Sequence, residues 1–159
     1  MSRIVYVNGE YLAEEDAKIS VFDRGFLFAD GVYEVTSVLH GRLIDNPNHV
    51  RRLHRSLDEL GMPAPISDAA LIDAQRTLVT RNGLEEGIVY LQVTRGAADR
   101  EFAWPHTSIP SLVMFTQAKT LLDSPQAKTG IRVATCEDIR WHRRDIKTVG
   151  LLAACMAKM

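Results

Sequence analysis

The sequence contains very little cysteine and no recognisable metal-ligand motif. The 159-residue chain has two cysteines, Cys136 and Cys155, which are too few and too unpatterned for a disulfide framework or a zinc site. We expect both to be buried free thiols, as suits a protein of the reducing cytoplasm. The five histidines show none of the paired spacings of metal ligands, so the sequence predicts no metal site.

An excess of charge and long apolar runs are also missing. The net charge of -1 provides no overall attraction to nucleic acid or to a membrane surface. No apolar run approaches the length of a membrane span, and "MSRIVYVNGEYL" lacks the pattern of a signal peptide. Neither a Walker loop nor a nucleophile-elbow motif occurs. We therefore expect a cytoplasmic protein with no nucleic-acid or membrane partner, and without the commonest NTPase or hydrolase motifs.

The amino-terminal part of the chain predicts two hairpins. In "RIVYVNGEYL", β-rich residues flank Asn8-Gly9, a pair that tolerates the positive φ angles of a tight turn. In "GVYEVTSVLHGRLIDN", side chains alternate along a strand and His40-Gly41 supplies the turn. This alternation places Tyr33 and Glu34 on opposite faces of the strand.

Two helices and two central strands are predicted next. Asn46 or Asp45 can cap the first helix, which runs up to Gly61, a favourable residue just after a helix. The second, "DAALIDAQRTLVTRNG", opens at Ser67 or Asp68. The strands are "GIVYLQVTRG" and "PSLVMFTQ", rich in β-branched and aromatic residues. The loop between them, "AADREFAWPHTSI", is long enough to suggest a functional role.

A polar, Pro- and Gly-containing stretch marks a predicted domain boundary. We expect an α/β (α+β) fold: a small N-terminal domain of mixed sheet with two helices at 1–119, and a linker at 120–130. Residues 131–159 would begin a second, larger domain with a strand, "IRVATC", a basic loop and the start of a helix. This segment alone is too short to bury a core.

Lys147 is a candidate for covalent chemistry. It follows a basic run, "RWHRRD", and precedes a stretch of Gly, Leu and Ala that could cover it with apolar surface. Nearby positive charges and burial both lower the pKa of an amine, which favours the free amine that attacks an aldehyde. A solvated basic loop is the alternative interpretation of the same residues.

Two further residues stand out in the first half of the chain. Arg52, in "NHVRRLHRSL", is next to the apolar stripe of its helix, and an inward-facing arginine there would suit a phosphate. A solvated helix face is the alternative. Tyr33 has no functional signal of its own, because a tyrosine in a strand usually belongs to the core.

Several motifs together resemble a known family. "AKISVFDRGFLFADGVYEVTSVLHGRLID", "HVRRLHRSLDELG", "YLQVTRGAADREFAWP" and "DIRWHRRDIKTVGLL" are similar, in this order, to the fold-type IV pyridoxal-phosphate enzymes. Within them the sequence most resembles the D-amino acid aminotransferases. The resemblance runs over essentially the whole chain.

The resemblance implies a role for each of five residues. Lys147, in "DIKT", matches the lysine that forms an imine (Schiff base) with pyridoxal 5'-phosphate and shuttles a proton. Arg52 matches the arginine that binds the cofactor phosphate, and Glu34 the acid beside the lysine. Tyr33 matches a tyrosine on the substrate side of the cofactor. Arg100, in "ADREFAWP", matches an arginine that traps the substrate carboxylate from the other subunit of a homodimer.

Two departures from the family pattern affect what is expected. The best-known members have Arg-x-His in the substrate loop, where this chain has Arg100-Glu101-Phe102, so the second carboxylate donor is replaced by an apolar ring. Family members also continue well beyond Met159, and the half that follows contains the acid that pairs with the pyridine nitrogen. We therefore expect this sequence to be part of a longer enzyme.

The resemblance implies transamination between a D-amino acid and a 2-oxo acid by a ping-pong mechanism. Branched-chain aminotransferase, (R)-selective amine transaminase and aminodeoxychorismate lyase activities are the alternatives within the same fold. A non-catalytic dimerisation fragment is the alternative outside catalysis.

Overall fold

A computed structural model of the chain describes residues 2–159 and contains one six-stranded sheet with helices. The strands are β1 (Ile4–Val7), β2 (Glu10–Ala13), β3 (Gly31–Leu39), β4 (Arg42–Leu43), β5 (Glu86–Thr94) and β6 (Ser111–Ala118). The helices are α1 (Arg24–Phe28), α2 (Asn46–Glu59), α3 (Asp68–Arg81), α4 (Pro125–Thr129) and α5 (Leu152–Met156). The strand order is β2-β1-β6-β5-β3-β4.

The expected α+β fold class is confirmed, but the sheet is not mixed. Every strand pair described in residues 2–159 is antiparallel. The path from β3 through β4, α2 and α3 returns the chain in the direction opposite to β3, so β5 pairs with β3 in the antiparallel sense. β5 and β6 are joined by the long loop 95–110 and form an antiparallel pair in the centre of the sheet.

Both predicted hairpins are present with the expected turns. Asn8 and Gly9 have φ angles of 49° and 104°, and His40 and Gly41 have φ angles of 51° and 68°. Positive φ at two successive residues gives the turn a twist that matches the strands on either side. The first hairpin joins β1 to β2 and the second joins β3 to β4.

The two long helices form as the sequence predicts. The helix α3 is capped by Ser67, whose hydroxyl oxygen accepts a hydrogen bond from the Ala70 amide at 3.3 Å. Asp45 precedes α2 in a left-handed conformation without a side-chain cap. Gly61 follows α2 at φ 58°, as expected of a glycine after a helix.

Helices α2 and α3 pack against one face of the sheet and form the main core with it. Along β3 the residues at alternate positions are buried on the helix side, whereas Tyr33 and its face are half-buried. The largest core cluster takes residues from both helices and four strands, among them Val32, Leu53, Leu57, Leu78, Leu91 and Met114. This packing fixes the position of α2 relative to β3, which matters for the site described below.

The carboxy-terminal part of the chain differs from its prediction in two respects. Residues 131–136 form no strand, because no strand of the described chain lies beside them to complete the hydrogen bonds. Cys136 and Cys155 are free, but they are exposed rather than buried, since both lie in segments that no other element of residues 2–159 covers. The expected helix start is confirmed as α5.

The division into two domains at 120–130 stays a prediction. The helix α4 lies within that stretch, and none of its residues is buried. No helix in residues 2–159 is long and apolar enough to cross a membrane.

Candidate active site

Backbone hydrogen bonds hold the segment around Lys147 against the edge of β3. The Tyr33 amide donates to the Lys147 carbonyl oxygen at 3.0 Å, and the Val149 amide donates to the Gly31 carbonyl oxygen at 3.1 Å. Thr148 forms an isolated antiparallel bridge with Val32 between them. Residues 147–149 therefore extend the sheet beside the first residues of β3, and Lys147 is fixed next to Tyr33.

The side chain of Lys147 lies against an aromatic stack. Its Nζ is 3.8 Å from the centroid of the Tyr33 ring, a cation–π distance. Tyr33 stacks in turn on Tyr90 at 5.7 Å between centroids. The preceding residue, Ile146, is buried in the main core and anchors the segment. The amine is therefore held over one ring rather than extended freely into solvent.

Lys147, Tyr33 and Arg52 line the same cavity. Its volume is about 630 Å³, within the range of pockets that hold small molecules. Other residues of its wall include Phe28, Arg140, Trp141, Arg144, Thr148 and Leu151. Three of the residues singled out in the sequence thus converge on one concave site, from β3, α2 and the segment after the basic loop.

A buried carboxylate orients Arg52. The Glu34 side chain is 3% exposed, and its two oxygens accept hydrogen bonds from Nε and Nη2 of Arg52, each at 2.7 Å. These bonds raise the pKa of the Arg52 guanidinium. The hydrogen bonds described for Arg52 use Nε and Nη2, so Nη1 is left for a ligand. The family resemblance implies that Glu34 lies beside the lysine. The hydrogen bonds described for its side chain are with Arg52 and His49 instead.

Two residues of α2 belong to this site although the sequence analysis did not select them. His49 Nδ1 lies 2.8 Å from the second Glu34 oxygen. The Ser56 hydroxyl accepts a long hydrogen bond, 3.4 Å, from the Lys147 amide. Both residues are one helical turn from Arg52, at spacings of three and four, which is the only signal in the sequence that could have identified them.

The basic residues before Lys147 are paired with carboxylates. Asp138 lies 2.9 Å from Arg140 and 3.4 Å from Arg144. Its pKa is held well below the usual range, chiefly by the hydrogen bond from Arg140. Arg143 pairs with Asp145 at 3.1 Å. The positive charge that the sequence places around Lys147 is therefore partly offset by these acids.

Arg100 and Phe102 lie beside the cavity and do not line it. The Arg100 guanidinium carbon is 5.4 Å from the centroid of the Phe28 ring, which does line the cavity. Phe102 is 78% exposed and packs against the same ring at 5.8 Å. The structure therefore brings Tyr33, Glu34, Arg52 and Lys147 together within this chain, whereas Arg100 contacts Phe28 without lining the cavity.

Comparison with known proteins identifies relatives over nearly the whole chain. D-alanine aminotransferase of Staphylococcus aureus (strain MSSA476) is 38% identical over 157 residues, which are 97% of this chain and 55% of that protein. D-alanine aminotransferase of Bacillus licheniformis is 34% identical over 154 residues, which are 97% of this chain and 54% of that protein. The chain thus spans about half the length of the curated relatives it matches.

Solved structures show the same fold. The 4-amino-4-deoxychorismate lyase of Pseudomonas aeruginosa matches with a TM-score of 0.72 and 24% identity, over 97% of this chain and 55% of that one. The T.th. branched-chain amino acid aminotransferase with pyridoxamine 5'-phosphate matches with a TM-score of 0.72 and 18% identity, over 79% and 43% of the two chains. The amino-transferase class IV family model covers residues 31–159. The chain therefore belongs to the amino-transferase class IV family, and its fold is that of the fold-type IV aminotransferases.

Proposed function

We propose that this chain is the amino-terminal part of a pyridoxal-phosphate-dependent enzyme that transfers the amino group of a D-amino acid to a 2-oxo acid. The observation that carries the proposal is the convergence of Lys147, Arg52 and Tyr33 on one cavity. The similarity to D-alanine aminotransferase supports the choice of substrate class. The order of reaction is ping-pong: the first 2-oxo acid leaves before the second binds.

The residues present fit pyridoxal 5'-phosphate. Arg52, oriented by Glu34, has Nη1 left to donate a charge-assisted hydrogen bond to a phosphate oxygen, although Glu34 offsets part of its positive charge. Within residues 2–159, Lys147 is the one lysine that lines the cavity, and its Nζ is the group that would hold the aldehyde. When bound, the cofactor supplies an electron sink for the substrate carbanion.

The chain's own side chains would orient the substrate and move its proton. Lys147 Nζ would take the proton from the substrate Cα and return it. The Tyr33 ring beside Nζ would form one wall of the substrate position. Because the two groups are held by the same stretch of backbone pairing, their relative geometry is set before the substrate binds.

A homodimer is part of the same proposal. Arg100 lies outside the cavity of its own chain, as expected if it binds the substrate carboxylate in the cavity of a partner subunit. Val21, Phe22 and Phe26 are 66%, 56% and 76% exposed and form an apolar segment suited to a subunit interface. A cytoplasmic location is also proposed, and the two free cysteines support it.

One specific observation favours a second candidate, an (R)-selective amine transaminase. Phe102 occupies the position of the second carboxylate donor, and its ring is exposed and apolar. A site with a single carboxylate donor would depend less on a substrate carboxylate. The substrate assay given in the Discussion separates the two candidates.

Covalent trapping tests the proposal directly. Incubation of the full-length protein with pyridoxal phosphate, reduction with borohydride and peptide mapping should place the adduct on Lys147. Lys147→Ala should abolish both the adduct and transamination, whereas Lys158→Ala, at an exposed lysine beyond α5, should retain both. An adduct on another lysine, with activity surviving Lys147→Ala, would exclude the assignment. A protein that forms no adduct would support the non-catalytic dimerisation fragment.

A further inference from the structure

A buried cluster of two arginines and one carboxylate lies next to the site. Asp30 Oδ2 accepts hydrogen bonds from Nε of Arg24 and Nε of Arg95, both at 2.8 Å. The side chains of Arg24, Arg95 and Asp30 are 3%, 4% and 9% exposed. Burial of three charged groups is costly unless each is paired in good geometry. Neither the cofactor nor the lysine chemistry proposed above uses any of the three.

Arg24 reaches from Asp30 to the loop 95–110, which carries Arg100, and Arg95 is the first residue of that loop. Arg24 donates from Nη1 to the Glu101 carbonyl oxygen at 2.7 Å. The Arg95 guanidinium carbon lies 4.2 Å from the centroid of the Trp104 ring. The loop is thus held at the residue after Arg100 and again three residues further on, while most of its side chains are exposed.

The same arginines tie this loop to the rest of the molecule. Arg95 donates from Nη2 to the Leu60 carbonyl oxygen at the end of α2, at 2.9 Å. Arg24 lies over Phe28, 4.6 Å from the ring centroid, and Arg100 lies against the same ring. The Asp30 carboxylate therefore fixes the orientation of both guanidinium groups. Arg95 connects the loop with the end of α2, and Arg24 connects it with Phe28 in the wall of the cavity.

We propose that Asp30 is a positioning residue for the substrate loop: through Arg24 and Arg95 it fixes residues 100–104, and so the place from which Arg100 meets a substrate carboxylate. The link to substrate rests on the function proposed above. The link to loop order stands on geometry alone. A loop of this length without such anchors would be mobile and exposed to proteases.

Two variants test the inference in the full-length enzyme. Asp30→Asn removes the charge that both arginines share. Arg24→Lys keeps a positive charge opposite Asp30, but its one ammonium nitrogen cannot occupy both positions, Nε and Nη1, from which Arg24 bonds Asp30 and the Glu101 carbonyl. Asp99→Asn is the matched control, because Asp99 is an exposed carboxylate of the same loop that makes no side-chain hydrogen bond described in residues 2–159.

Each variant is characterised by three measurements. Native-state trypsin cleavage between Arg100 and Glu101 should accelerate at least about tenfold in both variants, since local opening governs cleavage, while cleavage after Lys119 stays constant. The emission of Trp104, obtained as the difference between each variant and the same variant carrying Trp104→Phe, should shift toward that of a solvated indole. The KM for D-alanine should rise about tenfold with kcat changed much less, as when uniform binding is lost. The control variant should match wild type throughout.

The outcomes separate this inference from the proposed function. Unchanged cleavage after Arg100 in a folded Asp30→Asn or Arg24→Lys protein overturns the inference. If Asp30→Asn does not fold, Arg24→Lys decides. If Arg100→Ala leaves the KM for D-alanine unchanged, the carboxylate role of Arg100 has failed, and proteolysis and emission alone decide whether Asp30 orders the loop. An unchanged KM in both Asp30→Asn and Arg24→Lys, where Arg100→Ala does raise the KM, also overturns the inference.

Discussion

At the scale of single residues, the pairing of Arg52 with Glu34 bears most directly on the phosphate-binding role proposed for Arg52. A free arginine side chain would lose rotamer entropy on binding a phosphate. Here the buried carboxylate has already fixed the guanidinium through two hydrogen bonds. We therefore interpret Glu34 as a group that prepares Arg52 for an anion.

The first residue-scale prediction concerns Arg52. Arg52→Ala should weaken pyridoxal phosphate binding by roughly ten- to a hundredfold, because hydrogen bonds to a charged group contribute about 1.5–3 kcal/mol. Arg51→Ala should change binding much less, since Arg51 is exposed on the same helix and does not line the cavity. Cofactor titration by absorbance measures both. Equal losses in the two variants would show that α2 offers only a basic surface.

The second residue-scale prediction concerns the substrate loop. Arg100→Ala should lower kcat/KM for D-amino acids by roughly tenfold to more than a thousandfold, since removal of a buried charged partner costs about 2–5 kcal/mol. Turnover of simple amines should change far less. Phe102→His should raise activity on D-alanine by restoring a second donor.

A paired assay of D-alanine, D-glutamate, L-leucine and an (R)-amine on wild type and both loop variants checks this prediction. A wild type that prefers L-leucine would identify a branched-chain enzyme. Preference for the amine would favour the (R)-selective candidate. Full D-amino acid turnover in Arg100→Ala would contradict the role of Arg100.

At the scale of elements, the short strip 147–149 determines the position of Lys147. Its hydrogen bonds with Gly31 and Tyr33 pair it with the first residues of β3, whose last residues pair with β4. Because strand pairing fixes both distance and direction, the Lys147 side chain projects next to Tyr33 rather than into the basic loop.

The element-scale prediction breaks this pairing. Val149→Pro removes the amide that donates to the Gly31 carbonyl oxygen. The loss of one hydrogen bond, about 0.5–1.5 kcal/mol, should reduce adduct formation at Lys147 about two- to tenfold at subsaturating pyridoxal phosphate. Val149→Ala retains the amide and should react like wild type. Equal labelling of Lys147 in the two variants would show that the strip does not position the lysine.

At the scale of the whole molecule, the apolar segment around α1 has no covering element in residues 2–159. Phe26 is 76% exposed and lies two residues before Phe28, which lines the cavity. A subunit seated on this segment would therefore be close to the cavity. The buried apolar area of such a contact would favour association.

The whole-molecule prediction tests this interface. Phe26→Asp should weaken the proposed homodimer at least about tenfold, because a charge in an apolar interface is left unpaired. Ile44→Asp should change the dissociation constant little, because Ile44 is an apolar residue, 41% exposed, that lies outside this segment. Sedimentation equilibrium of the full-length variants measures the dissociation constant. An unchanged constant in Phe26→Asp would place the interface elsewhere or leave the protein monomeric.

The local structure was largely predictable from sequence. Turn chemistry at Asn8-Gly9 and His40-Gly41, the apolar spacing of the helices and the side-chain alternation of β3 depend on neighbours within a few residues. The prediction of a strand at 131–136 was wrong because strand formation depends on residues far away in the chain. A strand exists only where another chain segment completes its hydrogen bonds, and its β-rich composition carries no information about such a partner.

For the candidate site, too, some features follow from the sequence and others only from the tertiary structure. The sequence by itself determined which groups could act, because an amine, a guanidinium and a phenol have their chemistry wherever they lie, and the motifs of Lys147, Arg52 and Tyr33 resemble those of a known family. Only the tertiary structure decided that these three line one cavity and that Glu34 holds Arg52. It also joined Arg24, Asp30 and Arg95. The physical reason is that contacts between residues far apart in the chain depend on strand pairing and helix packing, which are settled by the burial of the whole core rather than by any local pattern.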